Sequence, residues 1–70
     1  MPEVRTVTVE AEWTVLVKHT ARLVVPDSEE SSDITDAVEA HAEQVNGGAV
    51  LSVQWTEVAD THQRFGGRRR

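Results

Sequence analysis

The residues from Val7 to Val25 alternate in polarity, and this alternation constrains the fold more than any other feature of the chain. The even positions are mostly Thr, Glu, Lys and Arg. The odd positions are apolar or nearly so, namely Val7, Val9, Ala11, Trp13, Val15, Val17, His19, Ala21, Leu23 and Val25. Because successive side chains of a strand point to opposite faces, a period of two predicts β structure with one buried face.

The alternating run is too long to be one straight strand. At about 3.3 Å per residue it would measure about 60 Å, whereas a chain of 70 residues has a compact radius of gyration of about 11 Å. The run must therefore bend, fold back on itself or project into a partner. No Gly, Pro, Asn or Asp lies between Val4 and Val25, so a two-residue hairpin turn is not expected.

The parity of the run constrains the reversal further. A two-residue hairpin would move the buried face from odd to even positions, but the apolar residues stay odd throughout. A three- or five-residue connection, or a bulge in one continuous bent strand, preserves the parity. We place the reversal near Lys18-His19-Thr20 and predict a first strand over residues 4–17 and a second over residues 20–26.

A helix is predicted after the polar connector of residues 27–33. Its apolar stripe recurs at helical spacing through Ile34, Ala37, Val38, His41, Ala42 and Val45. Ser32 or Asp33 is the expected N-cap, and Asn46-Gly47-Gly48 supplies a left-handed stop. These signals predict a helix over residues 33–45.

The alternation returns at Ala49 and predicts a third strand over residues 49–58. The elements together predict a two-layer α+β fold of the type β-β-α-β, with one helix on one face of a three-stranded, mainly antiparallel sheet. A right-handed crossover makes the third strand parallel to the second, and the long first strand between them gives the order 2-1-3. We expect one domain over residues 1–60 and a flexible basic tail over residues 61–70.

The two tryptophans share the buried parity of their strands. Trp13 and Trp55 are therefore expected to supply much of the apolar core. The alternative is that one of them anchors an interface or stacks on a planar ligand.

Size and composition favour a small intracellular protein that associates with itself. A chain of 70 residues without Cys has marginal stability as a monomer, so we expect a homodimer. The longest apolar stretches are only a few residues, and the N-terminus lacks the regions of a signal peptide. We expect a cytoplasmic protein with no membrane partner.

No group of residues has the spacing of a catalytic or metal site. Glu10 and Glu12 share one strand face without a second catalytic group, and His19, His41 and His62 match no ligand pattern. His41, on the apolar stripe, is expected to be a half-buried packing residue. We therefore expect no enzymatic activity, no metal and no cofactor.

Charge is distributed unevenly along the chain. Residues 23–63 carry nine acids and no Lys or Arg, and residues 64–70 carry four Arg. The favoured function is that of an accessory or inhibitory interaction protein that presents an acidic helix face to a basic protein partner. The residues expected to form this face are Asp33, Asp36, Glu39 and Glu43.

The basic end of the chain supports a second function, nucleic-acid binding. Arginines would bind phosphates and the phenyl ring would stack on a base. The residues of this alternative are Arg64, Phe65, Arg68, Arg69 and Arg70. A third possibility is that the tail lies on the acidic helix of its own chain or of a dimer mate.

Two resemblances add further expectations. A hairpin, Pro26-Asp27-Ser28, a helix and a chain end with Gly66-Gly67 together resemble ubiquitin-like β-grasp proteins, although the fourth strand and middle loops of that family are missing. This resemblance implies a modifier with a Gly-Gly terminus and a removable Arg68–Arg70 extension. The short, cysteine-free composition, rich in Val, Ala, Glu and Arg, is also similar to that of small uncharacterised proteins of actinobacterial phages and mobile elements. That similarity implies no chemistry and places the protein in the cytoplasm of a host cell.

Overall fold

A computed structural model of the chain describes residues 5–58 and 63–69. The described elements are β1 (Thr6–Thr14), β2 (Lys18–Pro26), α1 (Ser31–Asn46), β3 (Ser52–Glu57) and β4 (Phe65–Arg69). The strands form one antiparallel sheet in the order β2-β1-β3-β4, and α1 packs against one face of it.

The predicted α+β class and the order of the first three strands are confirmed, but the three-stranded sheet is wrong. A fourth strand, Phe65–Arg69, lies where we expected a tail without regular structure. None of the large side chains of this strand is buried: Phe65 is 77% exposed, and Arg68 and Arg69 are exposed as well. The segment therefore lacks the alternating apolar residues from which strands are recognised in a sequence.

The connection between β1 and β2 consists of Val15, Leu16 and Val17. Trp13 pairs with His19 across the hairpin, so the connection has an odd length and preserves the buried parity, as predicted. It lies earlier in the chain than the predicted reversal at Lys18-His19-Thr20. The position of the loop was not evident in the sequence because its three residues are aliphatic and have strand propensity. In the structure Leu16 is 97% exposed.

The core lies between α1 and the odd-numbered face of the sheet. Its buried apolar residues are Val7, Val9, Ala11, Trp13, Leu23, Val25, Ile34, Val38, Ala42, Val50, Val53 and Trp55. Both tryptophans are buried, as the core interpretation predicted. The even-numbered residues of β1, β2 and β3 face the other side of the sheet, which α1 does not cover. We refer to this side as the open face.

Helix α1 is longer than predicted and begins earlier. Its N-cap is Glu30, which makes no side-chain capping bond, so the expectation of a cap at Ser32 or Asp33 is wrong. Ser28 organises this end instead, because its Oγ accepts the N–H of Glu30 at 3.2 Å and donates to Asp33 Oδ2 at 2.8 Å. The predicted stop is confirmed, since Gly47 ends the helix in the left-handed conformation with φ 79°.

The buried stripe of α1 is rotated relative to the prediction. Thr35 and Glu39 are buried, whereas His41 and Val45 are exposed. The expectation that His41 is half-buried is therefore wrong. Its ring still makes an edge-type contact with that of Trp13, with 6.1 Å between the ring centroids. The two buried polar residues face β3 and β4, where Thr35 Oγ1 accepts the indole N–H of Trp55 and Glu39 Oε1 accepts from Arg68.

Candidate functional site

The arginine that precedes β4 joins three parts of the fold. Arg64 Nε donates to Glu57 Oε2 at 2.7 Å, and Arg64 Nη1 donates to the carbonyl oxygen of Ser28 at 2.6 Å. Its Nη2 donates to Asp27 Oδ1. One guanidinium thus holds the β2–α1 connection against the end of β3.

These contacts shift the pKa values of Asp27 and Arg64. The hydrogen bond from Arg64 holds the pKa of Asp27 below its ordinary value of 3.8, with burial opposing the shift. Hydrogen bonds to Glu57 and Asp27 raise the pKa of Arg64. Since the Glu57 side chain is only 8% exposed, its carboxylate needs a charged partner, and Arg64 supplies it.

A second arginine connects β4 to α1. Arg68 Nη2 donates to Asp36 Oδ1 at 2.6 Å, and Nη1 donates to Glu39 Oε1 at 3.1 Å. Asp36 and Glu39 are three residues apart and therefore lie on the same side of the helix. The hydrogen bond to Asp36 is the main cause that raises the pKa of Arg68.

Two glycines let β4 approach β3 between these arginines. A Cβ atom on Gly66 would lie 2.9 Å from the indole Nε1 of Trp55, and one on Gly67 would lie 2.5 Å from the carbonyl oxygen of Val53. Both distances are shorter than packed atoms allow. A side chain at either glycine would therefore push the strand away from β3.

The indole beneath Gly66 is held in place by a buried hydrogen bond. Trp55 Nε1 donates to Thr35 Oγ1 at 2.8 Å, and the Thr35 hydroxyl donates to the carbonyl oxygen of Ser31 at 3.0 Å. The ring cannot swing aside without breaking this bond, so the space available to β4 is defined.

These residues form one candidate site, which we refer to as the β4 groove. It consists of the edge of β3 and two carboxylate pairs, and β4 itself occupies it. The residues of the groove are Asp27, Glu57, Asp36, Glu39, Val53 and Trp55. The carboxylates of the groove bind two guanidinium groups, which belong to residues four positions apart on one side of an extended strand.

Two of the four residues of the acidic face predicted from the sequence belong to this groove. Asp36 and Glu39 bind Arg68, and Glu39 is buried rather than presented to solvent. Asp33 is exposed and accepts the hydroxyl of Ser28. Glu43 is half-buried on the next turn of α1.

The residues predicted to bind nucleic acid are divided between the two faces of the sheet. Arg68 points toward α1 and Arg64 toward the β2–α1 connection, and both are held by carboxylates. Phe65 and Arg69 pair with Thr56 and Ser52 on the open face. Arg70 lies outside the described residues.

The open face carries depressions that are open to solvent. One, of about 370 Å³, lies above Glu10, Glu12 and Arg22, another, of about 600 Å³, lies above β3 and β4, and a smaller one, of about 180 Å³, lies beside Lys18 and Arg69. Glu10 and Glu12 are each 4.0 Å from a cation, Arg22 and Lys18 respectively. Exposed pairs at this distance contribute little to stability.

Within residues 5–58 and 63–69, no three His, Cys, Asp or Glu side chains come together as a metal site would require. His62 falls outside those ranges. In the same described part of the chain, no helix has the length and apolarity needed to cross a bilayer.

Sequence reasoning anticipated the charges of the site but not its geometry. An acidic stretch followed by four arginines did suggest a tail lying on its own helix, and Arg68 makes that contact. The roles of Asp27, Glu57 and Thr35 were missed. The charge contrast itself was the signal for the first two, whereas Thr35 has no signature in the sequence because its partner, Trp55, is distant in the chain.

Comparisons with known protein families, with curated proteins and with solved structures found no significant match for the chain.

Proposed function

We propose that this chain is a non-enzymatic interaction protein, an accessory or inhibitory factor, that binds a basic protein partner through the carboxylates of α1. One observation carries the proposal: Asp36 and Glu39 hold the guanidinium of Arg68 with two hydrogen bonds. The helix therefore already binds an arginine side chain, the group that a basic partner would present.

The charge of α1 also supports this function. The helix carries four acids and no Lys or Arg, so its potential attracts cations along its whole length. Asp33 and Asp36 are exposed on its surface. A partner that approaches this side meets the exposed carboxylate of Asp33 and, beside it, Asp36 with Arg68 bound to it.

The proposal is tested by charge-neutralising variants on opposite sides of the molecule. Asp33→Asn, Asp36→Asn and Glu43→Gln together remove negative charge from α1, and Glu10→Gln with Glu12→Gln removes it from the open face. Basic proteins retained from an extract by the immobilised wild-type chain should be lost with the helix variant, kept with the open-face variant, and released by salt. Equal retention by both variants would contradict the proposal.

Nucleic-acid binding is the second candidate, and the exposed ring of Phe65 favours it. Phe65 and Arg69 are four residues apart in β4 and lie on the open face. Arg69 is its cation besides Lys18 and Arg22, which lie beside Glu12 and Glu10. Single-stranded nucleic acids bind to surfaces that combine aromatic rings with cations. Fluorescence anisotropy with labelled DNA and RNA tests this candidate, which requires that Phe65→Ala and Arg69→Gln weaken binding.

A homodimer remains part of the proposal, supported by an apolar end of the molecule. Leu16 and Val17 are exposed at the hairpin, and the exposed Leu51 lies beside it because its N–H donates to the carbonyl oxygen of Thr14. Sedimentation velocity should show a smaller species for Leu16→Asp than for the wild type. Val24→Asp, on the open face, is the matched control. Action in the cytoplasm and origin in a phage or mobile element stay predictions.

A further inference from the structure

We propose that the β4 groove is a binding site for an extended, arginine-containing segment of a partner protein, and that β4 is an intramolecular occupant which this segment displaces. The inference rests on the proposed function and names the chemistry that is recognised. The segment has the pattern Arg-X-Gly-Gly-Arg, which is that of residues 64–68.

Strand β4 has the properties of a replaceable ligand. It is five residues long, and the one large apolar side chain that it carries, Phe65, faces the solvent. Its detachment would remove backbone pairing and ion pairs but would transfer no large apolar side chain of its own from the core to water. Segments of this kind open at lower free energy than the strands of a core.

The groove also specifies what must fill it. Glu57 is buried at one end, and a buried carboxylate that loses its cation is strongly unfavourable. At the other end, Asp36 and Glu39 bind the two terminal nitrogens of Arg68. Arg64 reaches three acceptors at once, which a lysine ammonium does not match in geometry. The occupant must therefore bring two arginines.

The spacing and the intervening residues follow from the register of β3 and β4. The N–H of Glu57 donates to the carbonyl oxygen of Arg64, and Trp55 pairs with Gly66. A partner strand in this register adds to the edge of β3 through its backbone. The Trp55 ring and the Val53 carbonyl then leave room only for glycine at its third and fourth positions.

The tether between β3 and β4 makes the intramolecular strand a competitor. Residues 58–64 connect the two strands, so β4 can leave the groove while it stays near it. Because β4 belongs to the same chain, its effective concentration at the groove exceeds that of a dilute partner segment. A partner segment should therefore bind the wild-type chain weakly and bind much more tightly once β4 is dislodged.

The full-length Gly66→Val variant dislodges β4 by steric conflict with Trp55 and leaves every charge in place. The probe is a fluorescein-labelled peptide, Arg-Phe-Gly-Gly-Arg-Arg, with the sequence of residues 64–69. Anisotropy should show at least tenfold tighter binding to Gly66→Val than to the wild type. Gly48→Val is the matched control, because no atom lies within 4 Å of a Cβ built there, and it should behave like the wild type.

Two altered peptides separate recognition of the strand from attraction between charges. A scrambled peptide of equal charge, Arg-Gly-Phe-Arg-Gly-Arg, and a peptide with Val in place of the third residue should both bind Gly66→Val at least tenfold more weakly than the probe. Equal binding of the probe and the scrambled peptide would overturn the proposal.

A second variant guards against misfolding of Gly66→Val. Arg64→Gln with Arg68→Gln weakens β4 without changing its glycines, and circular dichroism reports whether each variant keeps its fold. If both variants unfold, amide exchange at Gly66 and Arg68 of the wild type, whose N–H groups face β3, decides the question. Excess probe should accelerate this exchange, and unchanged exchange at saturating peptide would overturn the proposal.

The two proposals can fail separately. If folded Gly66→Val does not bind the probe but the helix-charge variant still loses its basic partner, the groove proposal falls and the helix-surface proposal stands. If the probe binds the groove but neutralising α1 leaves the retained basic proteins unchanged, the helix surface is not the site at which they bind.

Discussion

The two edge strands of the sheet are held by different forces. Strand β2 is nine residues long, pairs with β1 along its whole length and contributes Leu23 and Val25 to the core. Strand β4 is five residues long and is held by its pairing with β3 and by the ion pairs of Arg64 and Arg68. Burial of apolar side chains determines the position of β2, whereas charge and the absence of side chains determine that of β4.

The difference extends to what each edge presents to a partner. The N–H of Asp27 donates to the carbonyl oxygen of Arg5, so the odd-numbered residues of β2 are those whose backbone groups bond to β1. The backbone groups of the even-numbered residues Lys18, Thr20, Arg22 and Val24 therefore point away from β1. Two of these four are cationic, and charges on an edge oppose the addition of another strand. We therefore expect exchange of strands at β4 rather than at β2.

The largest expected effect on stability comes from Leu23, a buried core residue of β2. Leu23→Ala should lower the free energy of unfolding by about 2–4 kcal/mol, because it removes buried methyl groups and leaves a cavity. Urea denaturation measures the loss. Val24→Ala, at a neighbouring position that is 68% exposed, should change stability by less than about 0.5 kcal/mol. Similar losses for both variants would contradict the assignment of β2 to the core.

Loss of the buried hydrogen bond between Trp55 and Thr35, which lies beneath β4, should have the next largest effect on stability. Thr35→Val keeps the shape of the side chain but leaves Trp55 Nε1 without its acceptor, which should lower stability by about 1–3 kcal/mol. Thr35→Ser retains the hydroxyl and should lose less. Thermal denaturation distinguishes the two variants, and a Thr35→Val chain as stable as the wild type would argue against the hydrogen bond.

High salt should separate the two edges without any substitution. At about 1 M salt the screening length is about 3 Å, so the solvent-exposed ion pair between Arg68 and Asp36 weakens while apolar burial does not. Amide exchange at the β4 residues Gly66 and Arg68 should accelerate severalfold, with little change at Leu23 and Val25. Uniform acceleration across both strands would show that β4 is no less stable than β2.

The smallest effect is the dependence on pH at the β4 edge. The pKa of Asp27 is lowered in the folded chain, so its stabilising contribution is present above its ordinary value of 3.8 and is lost as the pH falls through the lower folded value. Asp27→Asn should therefore show a shallower loss of stability below about pH 4 than the wild type does.

A charge-matched control for this measurement lies on the opposite face of the sheet. Glu10→Gln removes one carboxylate without touching Arg64, so its acid denaturation curve reports the general effect of the lost charge. Identical curves for Asp27→Asn and Glu10→Gln would mean that the contact with Arg64 does not influence stability in acid.

Much of the fold could be predicted because its signals are local. The alternation from Val7 to Val25 identifies the two long strands and their buried face, and Gly47 identifies the end of the helix. The hairpin loop at Leu16 was misplaced because its residues have the propensities of a strand. Strand β4 was missed because it is held by contacts with residues distant in the chain.

The candidate site shows the same division. The sequence indicated that the helix is acidic and that the chain end is basic, and it raised the possibility that the two meet. It did not indicate that Glu39 is buried, that Arg64 reaches Asp27, or that Gly66 faces an indole ring. These facts depend on the register of β4 against β3, which no local pattern encodes.

The sequence by itself determined the class of the fold, the order of the first three strands, the buried face of β1 and the separation of charge along the chain, because periodicity and charge are properties of neighbouring residues. The tertiary structure alone decided that the basic end is a strand and which carboxylates its arginines bind. The physical reason is that these ion pairs join residues separated by up to 37 positions, and only the folded sheet brings them within hydrogen-bonding distance.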